Sequence, residues 1–155
     1  RPATQQLYAI GRLGGVGRIY TLDAATGAAT FVATLAPDPA DTSAPFAGLA
    51  GTEFGVDFNP VPDRIRLVSD ADQNLRINPN NGLVTTDGTL AFASGTNPAV
   101  TAVAYTNSTA GATTTTLYGI DVTTQALVLQ NPPNNGTLNV VGPLGLSFNA
   151  LAGFD

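Results

Sequence analysis

The feature that most constrains the fold of this 155-residue chain is a turn of one style that occurs three times. The turn reads Asp-Ala-Ala-Thr-Gly at 23–27, Asn-Pro-Asn-Asn-Gly at 78–82 and Asn-Pro-Pro-Asn-Asn-Gly at 131–136. The closing glycines lie about 55 residues apart, and a regular period is the signature of a repeat architecture. Because Gly and Asn supply the positive φ of tight turns, each copy predicts a reversal between two strands.

Short runs rich in Val, Ile, Leu, Thr and Tyr surround each turn. Two runs precede the turn, one follows it, and a fourth run of small residues ends on an aromatic residue. Runs of this length between turn signals predict antiparallel hairpins. The predicted strands are 7–10, 18–22, 29–33 and 54–58, then 65–69, 74–77, 83–85 and 100–105, then 117–120, 126–129, 137–141 and 150–154.

The repeat predicts a single all-β domain over residues 1–155, built of three four-stranded antiparallel units at about 7–58, 59–107 and 116–155. No window has amphipathic-helix spacing, and the chain contains 11 prolines. Small four-stranded units are the blades of a β-propeller, in which a Gly- and Ala-rich strand lies innermost. We therefore predict a β-propeller-like fold, with a β-sandwich or a solenoid as the alternative. The Pro-rich insert at 36–45 is predicted to be a surface loop.

Three blades are too few for a ring, since known propellers have about four to eight. If the small-residue run is the innermost strand, the chain begins at the second strand of a blade and carries an unpaired innermost strand at 149–155. Unpaired strand edges favour pairing with another chain. We expect a homodimer that forms a six-bladed ring, or a head-to-tail filament, through the N-terminal strand at Leu7 and residues 149–155. The alternative is a fragment of a longer propeller.

Composition excludes most catalytic chemistry. The chain has no Cys, His, Met or Trp, and all six basic residues are arginine. Zinc sites of Cys and His, disulfides, Ser-His-Asp and Cys-His nucleophiles and the Walker A lysine are therefore excluded. Carboxylate chemistry and metals with oxygen ligands remain.

The net charge and the hydropathy of the chain restrict its possible partners and its location. A net charge of −5 argues against nucleic acid and anionic membrane surfaces as partners. No apolar stretch is long enough to insert into a membrane. Only 11% of the residues are charged, against roughly 25% in an average soluble domain. This balance indicates a mature, secreted chain at an extracellular, cell-surface or periplasmic location.

The charged residues concentrate between Gly55 and Pro79. Arginine binds carboxylates in a bidentate manner, so the first hypothesis is a structural ion pair between neighbouring blades. The alternative is a site for an anionic or carboxylate ligand. Glycan hydrolysis by Asp57 and Asp63 is the weakest hypothesis, because the spacing does not fix the carboxylate separation. The candidate ligand-binding residues are Asp57, Asp63, Arg64, Arg66 and Arg76.

Asp70, Asp72 and Asn74 have the oxygen spacing that opens an EF-hand calcium loop. The rest of the pattern departs from that loop, since Leu75 stands in place of its glycine and Asn81 in place of its glutamate. Two hypotheses follow: a calcium site of another geometry on these three residues, or a polar turn whose Asp side chains cap backbone N–H groups. No other cofactor is predicted.

Three segments carry a resemblance to a known family: GVDFNPVPDRIRLVSDADQNLRINPNNG at 55–82, AVAYTNS at 102–108, and TTLYGID with LVLQNPPNNGTLNVVGPLG at 115–145. Over nearly the whole chain, the sequence resembles the bacterial family described as domain of unknown function 4394. The resemblance implies an exported, propeller-like repeat protein without an established activity.

We therefore expect a secreted, non-catalytic β-propeller module that acts as a structural or binding protein at the cell surface or in an extracellular assembly. Its expected partners are copies of itself and other surface proteins or glycans. A propeller that binds a small molecule or calcium is the alternative, and a carboxylate-based glycan hydrolase ranks below both.

Overall fold

A computed structural model of the chain describes residues 1–149 and 153–154. These residues form three β-sheets and one short 3-10 turn at Pro133–Asn135, with no α-helix in the described ranges. The all-β prediction is confirmed. The strands are β1 (Leu7–Leu13), β2 (Val16–Leu22), β3 (Ala29–Thr34), β4 (Ala36–Pro37), β5 (Phe54–Asn59), β6 (Arg64–Ser69), β7 (Asn74–Ile77), β8 (Leu83–Thr86), β9 (Ala91–Phe92), β10 (Val100–Tyr105), β11 (Leu117–Asp121), β12 (Ala126–Gln130) and β13 (Thr137–Pro143).

Each sheet is an antiparallel meander, as the turn signals predict. Sheet 1 has the order β1-β2-β3, sheet 2 the order β4-β8-β7-β6-β5, and sheet 3 the order β10-β11-β12-β13-β9. The two-residue strands β4 and β9 pair in parallel with β8 and β13. Strands β1, β6 and β11 therefore occupy equivalent positions, and so do the outer strands β3, β8 and β13.

The three repeated turns share the conformation of their glycine and one backbone hydrogen bond. Gly27, Gly82 and Gly136 have φ values of 73°, 73° and 71°, in the left-handed region that glycine adopts without strain. In every copy, the N–H of the first turn residue donates to the carbonyl of the residue after the glycine. These bonds run from Asp23 to Ala28 (2.9 Å), from Asn78 to Leu83 (2.9 Å) and from Asn131 to Thr137 (2.8 Å).

The small-residue strands open the sheets. Strand β5 pairs with β6 and β10 pairs with β11, so the fourth run of each of the first two predicted units joins the strands that follow it. Sheet boundaries therefore lie one strand away from the boundaries at 7–58 and 59–107. The strand expected at 150–154 falls largely outside the described residues. The closed propeller, its blade count and its completion by a second chain stay predictions.

Two hydrophobic cores alternate with the sheets. One core joins sheet 1 to sheet 2 and includes Ile19 and Leu75, both 0% exposed. The other joins sheet 2 to sheet 3 and includes Val68 and Val128. Sheet 2 therefore lies between the other two sheets. Because both of its faces are covered, strand β6 is buried along nearly its whole length.

Strands β5 and β10 pass each other at close range. A Cβ atom added to Gly55 would lie 2.9 Å from backbone atoms of Ala102, closer than a real Cβ can approach. The small residues of these strands therefore allow sheets 2 and 3 to meet at one edge.

Candidate functional site

The most polar buried feature of the described chain is a network around Arg66 on β6, whose side chain is 1% exposed. Its Nη1 donates to Asn74 Oδ1 and to Asp87 Oδ2, both at 2.7 Å. Its Nη2 donates to Asn134 Oδ1 at 2.8 Å, and its Nε donates to Tyr105 Oη at 3.2 Å. The partners come from both sheet 2 and sheet 3, so this Arg66 network fastens the two sheets together.

Asp87 is the shared carboxylate of the network. It accepts hydrogen bonds from Arg66 and from Arg76, whose Nε and Nη2 donate at 2.7 and 2.8 Å. The hydrogen bond to Asp87 raises the pKa of Arg76 and outweighs the opposing effect of burial. Both guanidinium groups therefore direct donors to protein acceptors, which favours the structural hypothesis over the ligand clamp for these two arginines.

Asn74 is saturated by the same network. Its Oδ1 accepts from Arg66 and from Gln130 Nε2 at 3.0 Å, and its Nδ2 donates to two backbone carbonyls, those of Gly88 and Pro133. Gln130 Nε2 also donates to the Pro133 carbonyl at 2.7 Å, while Gln130 Oε1 is buried with no donor in the described part of the chain. The side-chain oxygen of Asn74 therefore already accepts two hydrogen bonds within the protein.

The other candidate ligand residues lie in separate sets of contacts. Asp63 pairs with Arg1, and this hydrogen bond is the main cause of its lowered pKa. The Arg64 Nη1 donates to the carbonyl of Asp63 at 3.2 Å. Asp57 accepts the backbone N–H of Phe58 at 2.7 Å and that of Tyr105 at 2.6 Å. The carboxylates of Asp57 and Asp63 thus accept hydrogen bonds from different residues.

The two remaining calcium candidates differ from each other. Burial opposes ionisation of Asp70, but hydrogen bonds from the Thr52 hydroxyl and the N–H groups of Thr52 and Glu53 outweigh it and lower the pKa. For Asp72, burial and then the charges of Asp121 and Asp70 raise the pKa. Asp72 Oδ1 is buried without a hydrogen-bond donor, and no group of three acidic side chains suited to a metal ion occurs in the described ranges.

A groove separates β1 from β5, and we call it the edge slot. This cavity of about 190 Å³ is lined by Leu7–Ile10 on one side and Val56–Phe58 on the other. The rings of Tyr8 and Phe58 meet edge to face at 5.1 Å, between the two strands. Leu7 is 54% exposed and Val56 is 41% exposed. The slot is therefore a mainly apolar groove beside an open strand edge, with Arg1 and Asp57 as the charged residues of its lining.

A second cavity, the Gln130 pocket, lies beside the Arg66 network in sheet 3. It measures about 390 Å³, and its lining includes Asn59, Tyr105, Tyr118, Gln130 and Asn131. Amide, hydroxyl and aromatic side chains therefore line this pocket. Such a lining suits a small, neutral, hydroxyl-bearing molecule.

Asp87, Gln130 and Asn134 belong to the polar network but were not predicted from the sequence. One signal pointed to a buried charge: Arg66 stands between the apolar residues Ile65 and Leu67, and a buried guanidinium requires acceptors. The partners themselves leave no local signal, because Asp87 and Asn134 lie 21 and 68 residues along the chain from Arg66.

Two further findings concern membrane-spanning helices and the similarity of the chain to known proteins. Among the described residues, no helix has the length and apolarity needed to cross a membrane. No curated protein and no solved structure matches the chain. The model of the family described as domain of unknown function DUF4394 matches residues 1–155, and the chain therefore belongs to this family.

Proposed function

We propose that the chain is a secreted, non-catalytic, β-propeller-like module that acts as a structural or binding protein by pairing strand edges with a second copy of itself. One observation carries the proposal. Strands β6 and β11 each have two hydrogen-bonded neighbours, whereas β1, at the equivalent position, has β2 alone within the described residues.

The edge slot has the shape that a further innermost strand requires. A strand in the slot would hydrogen-bond to β1 and would pack against β5, just as β10 bonds to β11 and packs against β5. Pairing a further strand with such an edge should stabilise the protein, because the backbone groups and the apolar side chains of the edge otherwise face water. The occupant we propose is the segment 149–155 of the second copy, since its Asn-Ala-Leu-Ala-Gly-Phe-Asp sequence is as rich in small residues as β5 and β10.

Composition and contacts support the non-catalytic, secreted part of the proposal. The chain offers no His, Cys or Lys for proton transfer or nucleophilic attack. Asp57 and Asp63 accept hydrogen bonds from the fold itself. The scarcity of charge and the Thr- and Asn-rich surface favour an extracellular protein that makes contacts with other proteins or glycans.

The test is the mass in solution, measured by light scattering on the intact chain, on a variant that lacks 149–155, and on two point variants. We expect twice the mass of one chain, and loss of the dimer both on deletion and in Val56→Asp, which places a charge in the slot. Val61→Asp is the matched control, since Val61 is 46% exposed and does not line the slot. A monomer at micromolar concentration would contradict the proposal.

Turnover of glycans or esters would contradict the non-catalytic part. A screen with common glycosidase and esterase substrates should show none. Any activity found should be compared between the intact chain and the variants Asp57→Asn and Asp63→Asn, because loss in either variant would identify a carboxylate mechanism.

The Gln130 pocket favours a second candidate function, the binding of a small neutral sugar or polyol. The pocket is lined by the hydroxyl groups of Tyr105 and Tyr118 and by the amides of Asn59, Gln130 and Asn131, which can exchange hydrogen bonds with sugar hydroxyl groups. A ligand that binds the folded state raises the melting temperature. A panel of monosaccharides and short oligosaccharides should include one that does so in the intact chain and not in Tyr118→Ala; no shift with any member removes this candidate.

A further inference from the structure

A short segment recurs after the outer strand of every sheet. It reads Thr-Leu-Ala-Pro at 34–37, Thr-Leu-Ala-Phe at 89–92 and Pro-Leu-Gly-Leu at 143–146. The first two copies contain β4 and β9, which leave their own sheet and pair in parallel with the outer strand of the next one. The segment is therefore a connector that each sheet contributes to its successor.

The first two connectors make the same contacts. The N–H of Ala36 donates to the carbonyl of Gly82 at 3.1 Å, and the N–H of Ala91 donates to that of Gly136 at 3.0 Å. The leucine before each alanine is buried in the core between the sheets, with Leu35 7% exposed and Leu90 2% exposed. Each connector thus fixes the repeated turn glycine of the next sheet.

The third connector starts along the same path. The N–H of Leu144 donates to the Gln125 carbonyl at 3.1 Å, beside β12. The N–H groups of the other two connector leucines donate to Gly17 at 2.9 Å and to Asp72 at 3.1 Å, in or near the equivalent strands β2 and β7. Beyond this point the third copy differs, because Leu144 is 37% exposed and Leu146 is 71% exposed. Its apolar side chains therefore lack the cover that the first two copies have.

Strand β3 has an outer edge without the short parallel strand that the equivalent strands carry. Strands β8 and β13 each carry a short parallel strand on their outer edge, whereas β3 has β2 as its one neighbour in the described residues. Ala29 of β3 is exposed, while its equivalents Val84 and Leu138 are 0% and 3% exposed. The turn beside β3 is open as well.

The space around the turn glycines shows the same difference between sheet 1 and the other two sheets. A Cβ atom added to Gly82 would lie 2.5 Å from the Thr34 carbonyl oxygen, and one added to Gly136 would lie 2.3 Å from that of Thr89. Both contacts come from the residue that begins a connector. A Cβ atom on Gly27 would meet nothing within 4 Å. The place that a connector fills in sheets 2 and 3 is therefore unfilled in sheet 1.

From these equivalences we infer that the connector Leu144–Leu146 of one copy adds as a short parallel strand to β3 of a second copy, and that the N–H of Gly145 donates to the carbonyl of the partner's Gly27. The inference rests on the proposed self-assembly but concerns a different edge, since the slot lies along β1. Strand addition of this kind derives its affinity from main-chain hydrogen bonds. In a two-fold dimer the contact occurs twice.

The occupant is a second copy and not the same chain. Leu144 is tied to sheet 3 through Gln125, and sheet 2 packs between sheet 3 and sheet 1. Strand β3 of the same chain therefore lies beyond sheet 2. The area next to β3 is open to another molecule.

The register makes the inference testable by disulfide formation, and the chain has no cysteine of its own. Pro37 lies opposite Val84 and Phe92 lies opposite Leu138, so Leu146 should lie opposite Ala29 of the partner. The probe is the double variant Ala29→Cys with Leu146→Cys. The control is Thr30→Cys with Leu146→Cys, because adjacent strand residues point to opposite faces. Ala29, Thr30 and Leu146 are all exposed, so both variants should fold.

After mild oxidation, we expect a non-reducing gel to show a shift from one chain mass to two for the first variant and little or no shift for the control. Monomeric mass for the intact chain in light scattering would overturn the self-assembly itself. A dimer in light scattering without this disulfide, equal cross-linking in both variants, or a disulfide within one chain would overturn the connector contact and leave the slot proposal standing.

Discussion

Arg66 illustrates how much a single buried charge depends on its surroundings. Its side chain is 1% exposed between the buried residues Ile65 and Leu67, and four of its N–H donors reach acceptors in sheets 2 and 3. A guanidinium group taken out of water is tolerated when its donors are matched in this way. The residue therefore stabilises the junction of two sheets, and a ligand role is not needed to explain it.

Arg66→Met should destabilise the chain by about 3 kcal/mol or more, because Asp87 and two asparagine carbonyls lose donors in a buried position. Arg66→Lys should recover little of this loss, since an ammonium group cannot reproduce the planar fork that reaches four partners. Urea denaturation of the three proteins measures both effects. Equal stability of the lysine variant and the intact chain would contradict this account.

Asp72 is a partly buried carboxylate whose ionised form the fold disfavours. Burial, followed by the charges of Asp121 and Asp70, raises its pKa, so the folded state holds this proton more tightly than the unfolded state does. Its contribution to stability therefore falls as the pH rises from the ordinary Asp range through the raised pKa. Asp72→Asn should stabilise the chain at pH 7, and the gain should shrink as the pH falls into the ordinary Asp range. Asparagine also tolerates the backbone here, where φ is 61°.

Asp70→Asn is the matched control, measured by the same denaturation series. Hydrogen bonds from Thr52 and Glu53 lower the pKa of Asp70, so its stabilising contribution is present at neutral pH and is lost as the pH falls. The variant should be less stable at pH 7. If both substitutions changed stability in the same direction at pH 7, the assignment of the two environments would be wrong.

At the scale of the element, close approach of strands explains the small residues. Gly55→Ala should lower the free energy of unfolding by about 1–3 kcal/mol. The new methyl group would collide with backbone atoms of Ala102, which cannot move aside as a flexible side chain could. Gly142→Ala on β13 is the control, since its added Cβ would meet nothing within 4 Å. Thermal denaturation of both variants tests the difference; equal melting temperatures would show that β5 and β10 can move apart.

The long strands could be predicted because their signals are local. Alternation, β-branched residues and the repeated turns mark 12 runs in the sequence, and the runs within the described residues form strands in the structure. The short strands β4 and β9 could not be found in this way, since their partners lie more than 40 residues along the chain. The 36–45 insert, expected as a surface loop, begins with β4 at the edge of sheet 2. The repeated Thr-Leu-Ala sequence was the available signal.

At the scale of the whole molecule, the absence of histidine bears on the response to pH. No side chain in the chain titrates near neutrality at its ordinary pKa. We expect the melting temperature to change little between pH 6 and pH 8, apart from the effect of the Arg1 amino group, whose pKa is lowered by burial. A change of many degrees, measured by circular dichroism and retained after acetylation of that amino group, would reveal a strongly perturbed carboxylate and would support a catalytic role.

The sheet pattern could be predicted further than the candidate sites, for a physical reason. A repeat imposes the same local structure on each copy, so the copies reinforce one prediction. The polar side-chain contacts are not repeated from unit to unit. Arg66 hydrogen-bonds to residues of two sheets, and Asp63 accepts hydrogen bonds from Arg1. Side-chain partners depend on how the sheets are placed, which no single stretch of sequence determines.

In the proposed assembly, the connectors have a consequence for how the sheets are divided among polypeptides. A connector would join one sheet to the next with the same bonds whether the peptide chain continues between them or a second copy supplies the next sheet. The number of sheets on one polypeptide would then be free to change by duplication or splitting of the gene without a change in the contact. A tandem fusion of two copies should therefore fold as one molecule in place of the proposed dimer, with a light-scattering mass of one fused chain.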